Sequence, residues 1–331
     1  MTQAKYHLTH LVRHLIHTTW SLSPAFYLAV AAIGATAIFS ENIYLIEMLV
    51  FVLLYAQYAA SWDILSGYTQ QDNYGHAFFI GGAGYLSAML NRYLDLSPWL
   101  SVPVSAGIAA LVGVGIGWLT LRLRGPYFAL STIAFAAVLT KLAHIFSETT
   151  GGDEGLSGLD TFTDGVSSDI AVAIVLVVAS VILLTAFANS HYGLILRSTQ
   201  HNEDAAQASG INTAFYKILA FVVSGFFAGI GGAMYAHLNM QINPGMLSAQ
   251  LSVLIVLLAI VGGRGTIIGP VLIAGAFTFF NEWLHVVELY RGVIFTGTLI
   301  ILVYANPDGF ANSRVFDHTP RLKYFLFGRK T

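Results

Sequence analysis

The chain has 331 residues, of which 56% are hydrophobic and 10% charged, with mean hydropathy +0.69 and a formal net charge of −2. A soluble domain carries about 25% charged residues, so this chain has too little charge to coat a water-soluble globule. Its sparse, near-balanced charge excludes nucleic acid as an expected partner, and the lack of cysteine excludes disulfides and thiol chemistry.

The first element, within residues 1–23, contains HLTHLVRHLIH. His7, His10, His14 and His17 recur at three- and four-residue steps, so a helix lines them along one face, with Leu8, Leu11, Val12, Leu15 and Ile16 filling much of the rest. The pattern predicts an amphipathic helix on the cytoplasmic membrane surface. The same spacing suits zinc, but no carboxylate or cysteine accompanies it, and no metal is expected. No small-residue cleavage site follows a short apolar core, so no signal peptide is expected.

Apolar stretches then recur at about 24–40, 44–66, 76–91, 99–121, 126–146, 169–188, 215–238, 248–263, 267–287 and 292–305. A spanning helix needs roughly 20 apolar residues. The expected fold is therefore all-α, a polytopic transmembrane helical bundle of about ten membrane helices over residues 24–310, with a tail at 311–331. Some stretches are too short to span alone. Two are interrupted by glycine, GHAFFIGGAGY (75–85) and IVGGRGTIIGPV (260–271), and such breaks occur where protein rather than lipid surrounds the backbone. They make Gly75, His76, Phe79, Gly81, Gly84, Tyr85, Gly262, Gly263 and Gly265 the candidate lining of a translocation pathway; the competing reading of GGRG is a tight turn between two spans. Gly113 with Gly117, and Gly225 with Gly229, have the four-residue spacing that lets helix backbones approach, within one subunit or between two.

Lys and Arg in short loops set the orientation. A cytoplasmic amino terminus puts Arg122, Arg124, Arg197, Arg264 and the basic tail (Arg314, Arg321, Lys323, Arg329, Lys330) inside, with Arg92 and Arg291 as exceptions. The acidic loop 147–168 then faces outward. Its glycine-rich part offers Thr150, Gly151, Gly152, Gly155 and Leu156 as candidate contacts for an outer partner; the alternative is a plain loop. It lacks the Lys-Ser/Thr of a phosphate-binding loop, and none occurs elsewhere in the chain.

The loop 189–214 holds RSTQHNEDAAQASGIN. Asn202 is a suitable N-cap, and Glu203 and Asp204 favour the first turn of a helix. Ala205, Ala206 and Ala208 are strong helix formers, and Gly210 suits a left-handed end. The predicted helix, about seven residues long, is unstable alone and must dock on something, most simply a separate cytoplasmic protein. Ionisable residues inside spans are functional candidates by default: Glu47, Asp63, His76, Lys141, His144, His237, Glu282 and His285, with Glu47, Asp63, His76 and Lys141 deepest; structural pairing is the competing reading. No catalytic constellation stands out.

The sequence Asp204-Ala205-Ala206, three residues, then Gly210 resembles the "EAA…G" loop of bacterial ABC importer permeases. More narrowly, residues 191–237 resemble the branched-chain amino-acid permease family of the LivM type. So do GYTQQDNYGHAFFIGGAGY (67–85), LRGPYFALSTIAF (123–135), TTGGDEGLSGL (149–159), SVLIVLLAIVGGRGTIIGPVLIAGAF (252–277) and YANPDGF (304–310). Gln200, His201, Gln70, Asn73 and Ala137 depart from the family pattern. The resemblance implies a multi-pass protein of the bacterial inner membrane with both termini cytoplasmic. It implies a second homologous permease, two cytoplasmic ATPases that carry the ATP and Mg, and a periplasmic or lipid-anchored solute-binding protein. This chain itself would bind no cofactor and would not be an enzyme. Asn202, Glu203, Asp204, Ala205, Ala206 and Gly210 would form the helix that an ATPase holds. The expected cargo is branched-chain or related hydrophobic amino acids. Urea, short amides or aromatic acids are the alternative, and an ATPase-independent carrier or channel is the alternative from another class.

Overall fold

The computed structural model describes residues 23–39, 42–120, 123, 125–284, 290–312 and 325–327. The amino-terminal histidines, Arg122, Arg124, His285 and most of the basic tail lie outside the described residues. The chain is a bundle of helices. It begins with α1 (Pro24–Phe39) and α2 (Ile43–Trp62), which widens into a π-helical turn, Asp63–Gly67. There follow α3 (Ala77–Leu94), α4 (Pro98–Thr120), α5 (Pro126–Ile145), the single turn α6 (Ser147–Thr150) and α7 (Val166–Ala188). Two polar helices, α8 (His191–His201) and α9 (Glu203–Ala208), precede α10 (Thr213–Leu238), α11 (Ala249–Gly262), α12 (Ile268–Trp283) and α13 (Arg291–Ala305). Two short strands, β1 (Leu156–Ser157) and β2 (Gln241–Ile242), pair antiparallel, with Leu156 opposite Ile242.

Each predicted apolar stretch falls on a helix. Among the described residues, six helical segments are long and apolar enough to cross a membrane, so length and composition stop short of the ten crossings expected. The shortfall has a physical origin. α11 has 14 residues and α12 has 16. At 1.5 Å per residue, 14 residues reach about 21 Å, short of a hydrocarbon core of about 30 Å. α3 has 18 residues and carries the polar pair Asn91 and Arg92 in its last turn. These elements are apolar because neighbouring helices cover them.

α10 is the centre of the bundle and packs against α4, α3 and α2. Its glycines make the approach possible within one chain. Gly113 of α4 and Gly225 of α10 both lie against the ring of Phe79, and Gly229 faces the Ala106 backbone of α4. Phe79 in turn meets Phe221 edge-on at 5.4 Å. α5 and α13 are the least covered spans, with Leu130, Val138, Ile300 and Ile301 exposed.

The connections gather at two ends of the bundle. One, the arginine end, collects residues 68–76, 189–212, 263–267 and 306–312, joined by bonds from Gln200 to Gly67, Arg264 to Asp72, and Asn312 to Arg264. The other, the hairpin end, collects residues 147–165 and 239–248 around the β1–β2 pair.

Candidate functional site

The polar insertion folds as two helices rather than one. α8 takes up Arg197–His201 and presents Ile195, Leu196 and Thr199 to the bundle. α9 has six residues, one fewer than expected. The Asn202 side chain accepts the Ala205 N–H at 3.0 Å. Gly210 has φ +84, and the Ile211 N–H returns to the Ala206 carbonyl at 3.1 Å. This left-handed ending satisfies carbonyls that the last turn would leave open. The chain supplies part of the docking that so short a helix needs. Lys217 of α10, only 4% exposed, pairs with Glu203 at 2.7 Å. Gln207 donates to Thr213 at 2.8 Å, and Thr213 donates to Glu203 at 3.2 Å. Ala206 is the buried alanine, while Asp204, Ala205, Ala208 and Gly210 remain exposed. One face of α9 is thus bolted to α10, and the other is free for a second surface. Lys217 has no local sequence signal, because its partner lies 14 positions away, beyond a turn.

Beneath α8 lies a knot of buried polar groups. Asp63, fully buried in the π turn, accepts the Gly265 N–H on one carboxylate oxygen and the Ile267 N–H on the other, each at 2.8 Å. Gly67 has no room for a side chain, since a Cβ would overlap the Asp63 carboxylate. Its carbonyl accepts from Gln200 at 3.0 Å. Arg197 donates to the Tyr68 hydroxyl at 3.3 Å and lies 5.0 Å from that ring's centroid. Arg264 pairs with Asp72 at 2.8 Å and stands over the Trp62 ring at 5.7 Å. Burial holds the Asp72 carboxyl above the usual carboxylate range, and the nearby guanidinium partly opposes the shift. The GGRG stretch lies at the turn between α11 and α12. Gly262 lies against Gly269 and Pro270, while Gly263 and Gly265 take φ +108 and +72.

The other glycines among the pathway candidates lie close against their neighbours. Gly75 abuts the Thr132 backbone, Gly81 abuts Met246 and Leu247, and Gly84 abuts Ile242 and Gly232. His76 is fully buried, with Nε2 at 2.9 Å from Ser61 Oγ. Ser61 gives its own proton to the Tyr58 carbonyl, so the His76 Nε2–H is the donor in that pair. Tyr85 borders open volume, a cavity of about 230 Å³ between α3 and α5 near the hairpin end. Of the deep ionisable residues, Asp63 and His76 point inward, and Glu47 and Lys141 lie on the exposed surface. Glu282 pairs with Arg291 at 3.2 Å and receives the Tyr44 hydroxyl, and His144 pairs with Asp153 at 2.9 Å.

At the hairpin end the glycine-rich loop is a built structure. Gly151, Gly152 and Gly155 take φ +78, +60 and +74. Gly155 lies against the Ile242 carbonyl and Gly151 against the Gly155 carbonyl, while Thr150 caps α5 by donating to the Ala143 and Phe146 carbonyls. Leu156 is buried in β1. His237 ties the loop to the bundle. Its Nδ1–H donates to the Asp160 carbonyl at 2.7 Å, and its Nε2 sits 2.9 Å from Ser87 and 3.0 Å from Ser101.

Residues 44–304 match the model of the family described as branched-chain amino acid transport system / permease component. The chain belongs to this family. It is 26% identical over 265 residues to the high-affinity branched-chain amino acid transport system permease protein LivM of Salmonella typhimurium and to that of Escherichia coli, covering 71% of this chain and 62% of each relative. The chain thus matches less than two thirds of the length of these curated relatives. The fructose import permease protein FruF of Bifidobacterium longum is 22% identical over 209 residues, covering 61% of this chain and 57% of FruF. No solved structure matches it significantly. Family and helices together make this an integral membrane protein of the permease type.

Proposed function

We propose that this chain is the permease subunit of an ATP-driven importer of branched-chain or related hydrophobic amino acids, working by alternating access in a bacterial inner membrane. The observation that carries the reading is α9, a charged helix capped at both ends, anchored by Lys217 and exposed on Asp204, Ala205 and Ala208. An ATPase-independent carrier or channel has no need of such a surface. In this reading two cytoplasmic ATPases hold α9 and carry the ATP and Mg. A second homologous permease completes the assembly, and a periplasmic or lipid-anchored solute-binding protein meets residues 147–165. Both termini are cytoplasmic. Residues 24–310 form the permease domain, between the amino-terminal segment 1–23 and the tail 311–331.

The cavity near the hairpin end supports a hydrophobic cargo. Gly82, Met89, Leu139, Leu142 and Leu247 supply much of its wall. Tyr85, Thr149 and Thr150 add a few polar groups to that wall, and each sugar hydroxyl left without one of them would lose its water at a cost of about 1–3 kcal/mol. An aliphatic side chain meets no such cost. The volume is below the roughly 300–1,000 Å³ of pockets for drug-sized ligands and fits a small solute.

The test is purification of the tagged chain from its native membranes, with uptake measured in parallel. An ATPase should co-purify, and Gly210→Arg should abolish uptake. Purification without an ATPase, together with intact uptake in Gly210→Arg, overturns the importer. Titration of the co-purifying solute-binding protein with leucine, ribose, urea and an aromatic acid identifies the cargo; leucine is expected to bind tightest.

A further inference from the structure

The polar knot at the arginine end connects two elements that sequence places far apart. α8, which leads into α9, touches the π turn through Gln200 on the Gly67 carbonyl at 3.0 Å and Arg197 on the Tyr68 hydroxyl at 3.3 Å. The same turn carries Asp63, which holds the main-chain N–H groups of Gly265 and Ile267. Gly265 and Ile267 belong to the turn that starts α12, and α12 packs along α2. A displacement of α8 therefore reaches the start of α12 through one buried carboxylate.

What Asp63 holds is strained. Ile267 has φ +57 and is fully buried. A β-branched residue in the left-handed region is an outlier that costs of order 1–3 kcal/mol and persists only where its surroundings impose it. No other buried group described here takes the Ile267 N–H, and on the far side the turn is gripped by Asn312, which donates to the Arg264 carbonyl at 3.1 Å. Shifting the Gly67 peptide moves the Asp63 carboxylate directly, because the two are in contact. Loss of the Asp63 bonds would let Ile267 relax to an ordinary backbone conformation and change the direction in which α12 leaves the turn. The arrangement has the parts of a two-state element: a strained turn, a buried carboxylate that holds its Gly265 and Ile267 N–H groups, and a lever on that carboxylate.

We propose that Asp63 is the positioning residue of the transport cycle, latching the strained 263–267 turn, and that Gln200 and Arg197 carry the movement of α8–α9 to it. The assignment rests on the importer reading for what drives α8, while the latch itself is a property of this chain.

Hydrogen–deuterium exchange on the purified complex separates the two. In Gln200→Ala, exchange in the 263–267 peptide should rise about tenfold although Gln200 touches neither the Gly265 nor the Ile267 amide, and exchange at 151–158 should stay unchanged. Asp63→Asn should raise the same peptide further. In proteoliposomes both variants should keep their ATPase and its basal hydrolysis, while solute moved per ATP falls about tenfold, one decade for each 1.4 kcal/mol of coupling lost. Unchanged exchange at 263–267 in Gln200→Ala overturns the relay, whether or not Asp63→Asn folds. Unchanged transport per ATP in Gln200→Ala overturns the role in the cycle. Absence of any co-purifying ATPase sinks the importer reading and leaves the exchange result to judge the latch.

Discussion

At the arginine end the groups that tie the helices together are buried charges. Asp63 is fully buried, Lys217 is 4% exposed, and Arg264 and Asp72 are half-buried. At the hairpin end most ties are neutral or exposed, the buried Asp169 carboxylate that accepts from Thr163 being the exception. His237 bridges the Asp160 carbonyl and two serines, glycines press directly on carbonyls, and the charged Arg92 and Asp160 stand in the open. The difference is informative because a buried charge is costly unless every partner stays in place. Glycine packed on a carbonyl has one geometry and no alternative. A buried carboxylate held by two N–H groups is firm while its partners are aligned and fails abruptly when they are not. The first construction suits a fixed rim, the second a part that must let go.

Substitutions that break this contrast should differ in size and place. The largest effect is expected for Asp63→Leu, which strands the N–H groups of Gly265 and Ile267 in the interior. It should lower stability by about 3–5 kcal/mol, seen as a lost or strongly lowered thermal transition of the detergent-solubilised chain. Gly155→Ala comes next, because its methyl overlaps the Ile242 carbonyl and its φ is +74. A cost of about 2–3 kcal/mol is expected, confined to the hairpin end. Limited proteolysis should cut within 151–158 while any co-purifying ATPase remains. Glu203→Gln leaves Lys217 buried without its counter-charge, but Glu203 is 31% exposed and water offsets part of the loss. About 1–2 kcal/mol should be lost, and Glu203→Gln combined with Lys217→Met should recover most of it in the same melt.

The smallest changes make the sharpest comparison. Gly210 and Gly158 have φ +84 and +73, and a Cβ on either would meet nothing. Alanine at each should cost about 1 kcal/mol, from backbone conformation alone. With stability thus matched, uptake should fall in Gly210→Ala and hold in Gly158→Ala. Equal uptake in the two would mean that the end of α9 carries no force.

What could be read in the sequence was what is local. The apolar stretches became helices because some 20 apolar residues can bury their backbone only that way in lipid. Asn202 and Gly210 were legible because a cap acts within four residues of its own position. The extent of α8 was not, since what holds it is the face of Ile195, Leu196 and Thr199 buried against the bundle. Sequence also could not sort the ionisable residues of the spans. Asp63 and Lys141 each interrupt an apolar run, yet one turns inward and the other outward.

The sequence by itself determined the all-helical membrane bundle and the short capped helix that starts at Glu203, since each follows from composition, period or contacts a few residues apart, and its motifs carried the resemblance to the permease family. The tertiary structure alone decided that Asp63 meets Gly265 and Ile267, that Lys217 holds Glu203, and that Gln200 reaches Gly67. These partners lie between 14 and 204 positions apart. Nothing short-ranged selects them. They are chosen because a buried polar group must find its partner among whatever the packed helices bring within hydrogen-bonding distance.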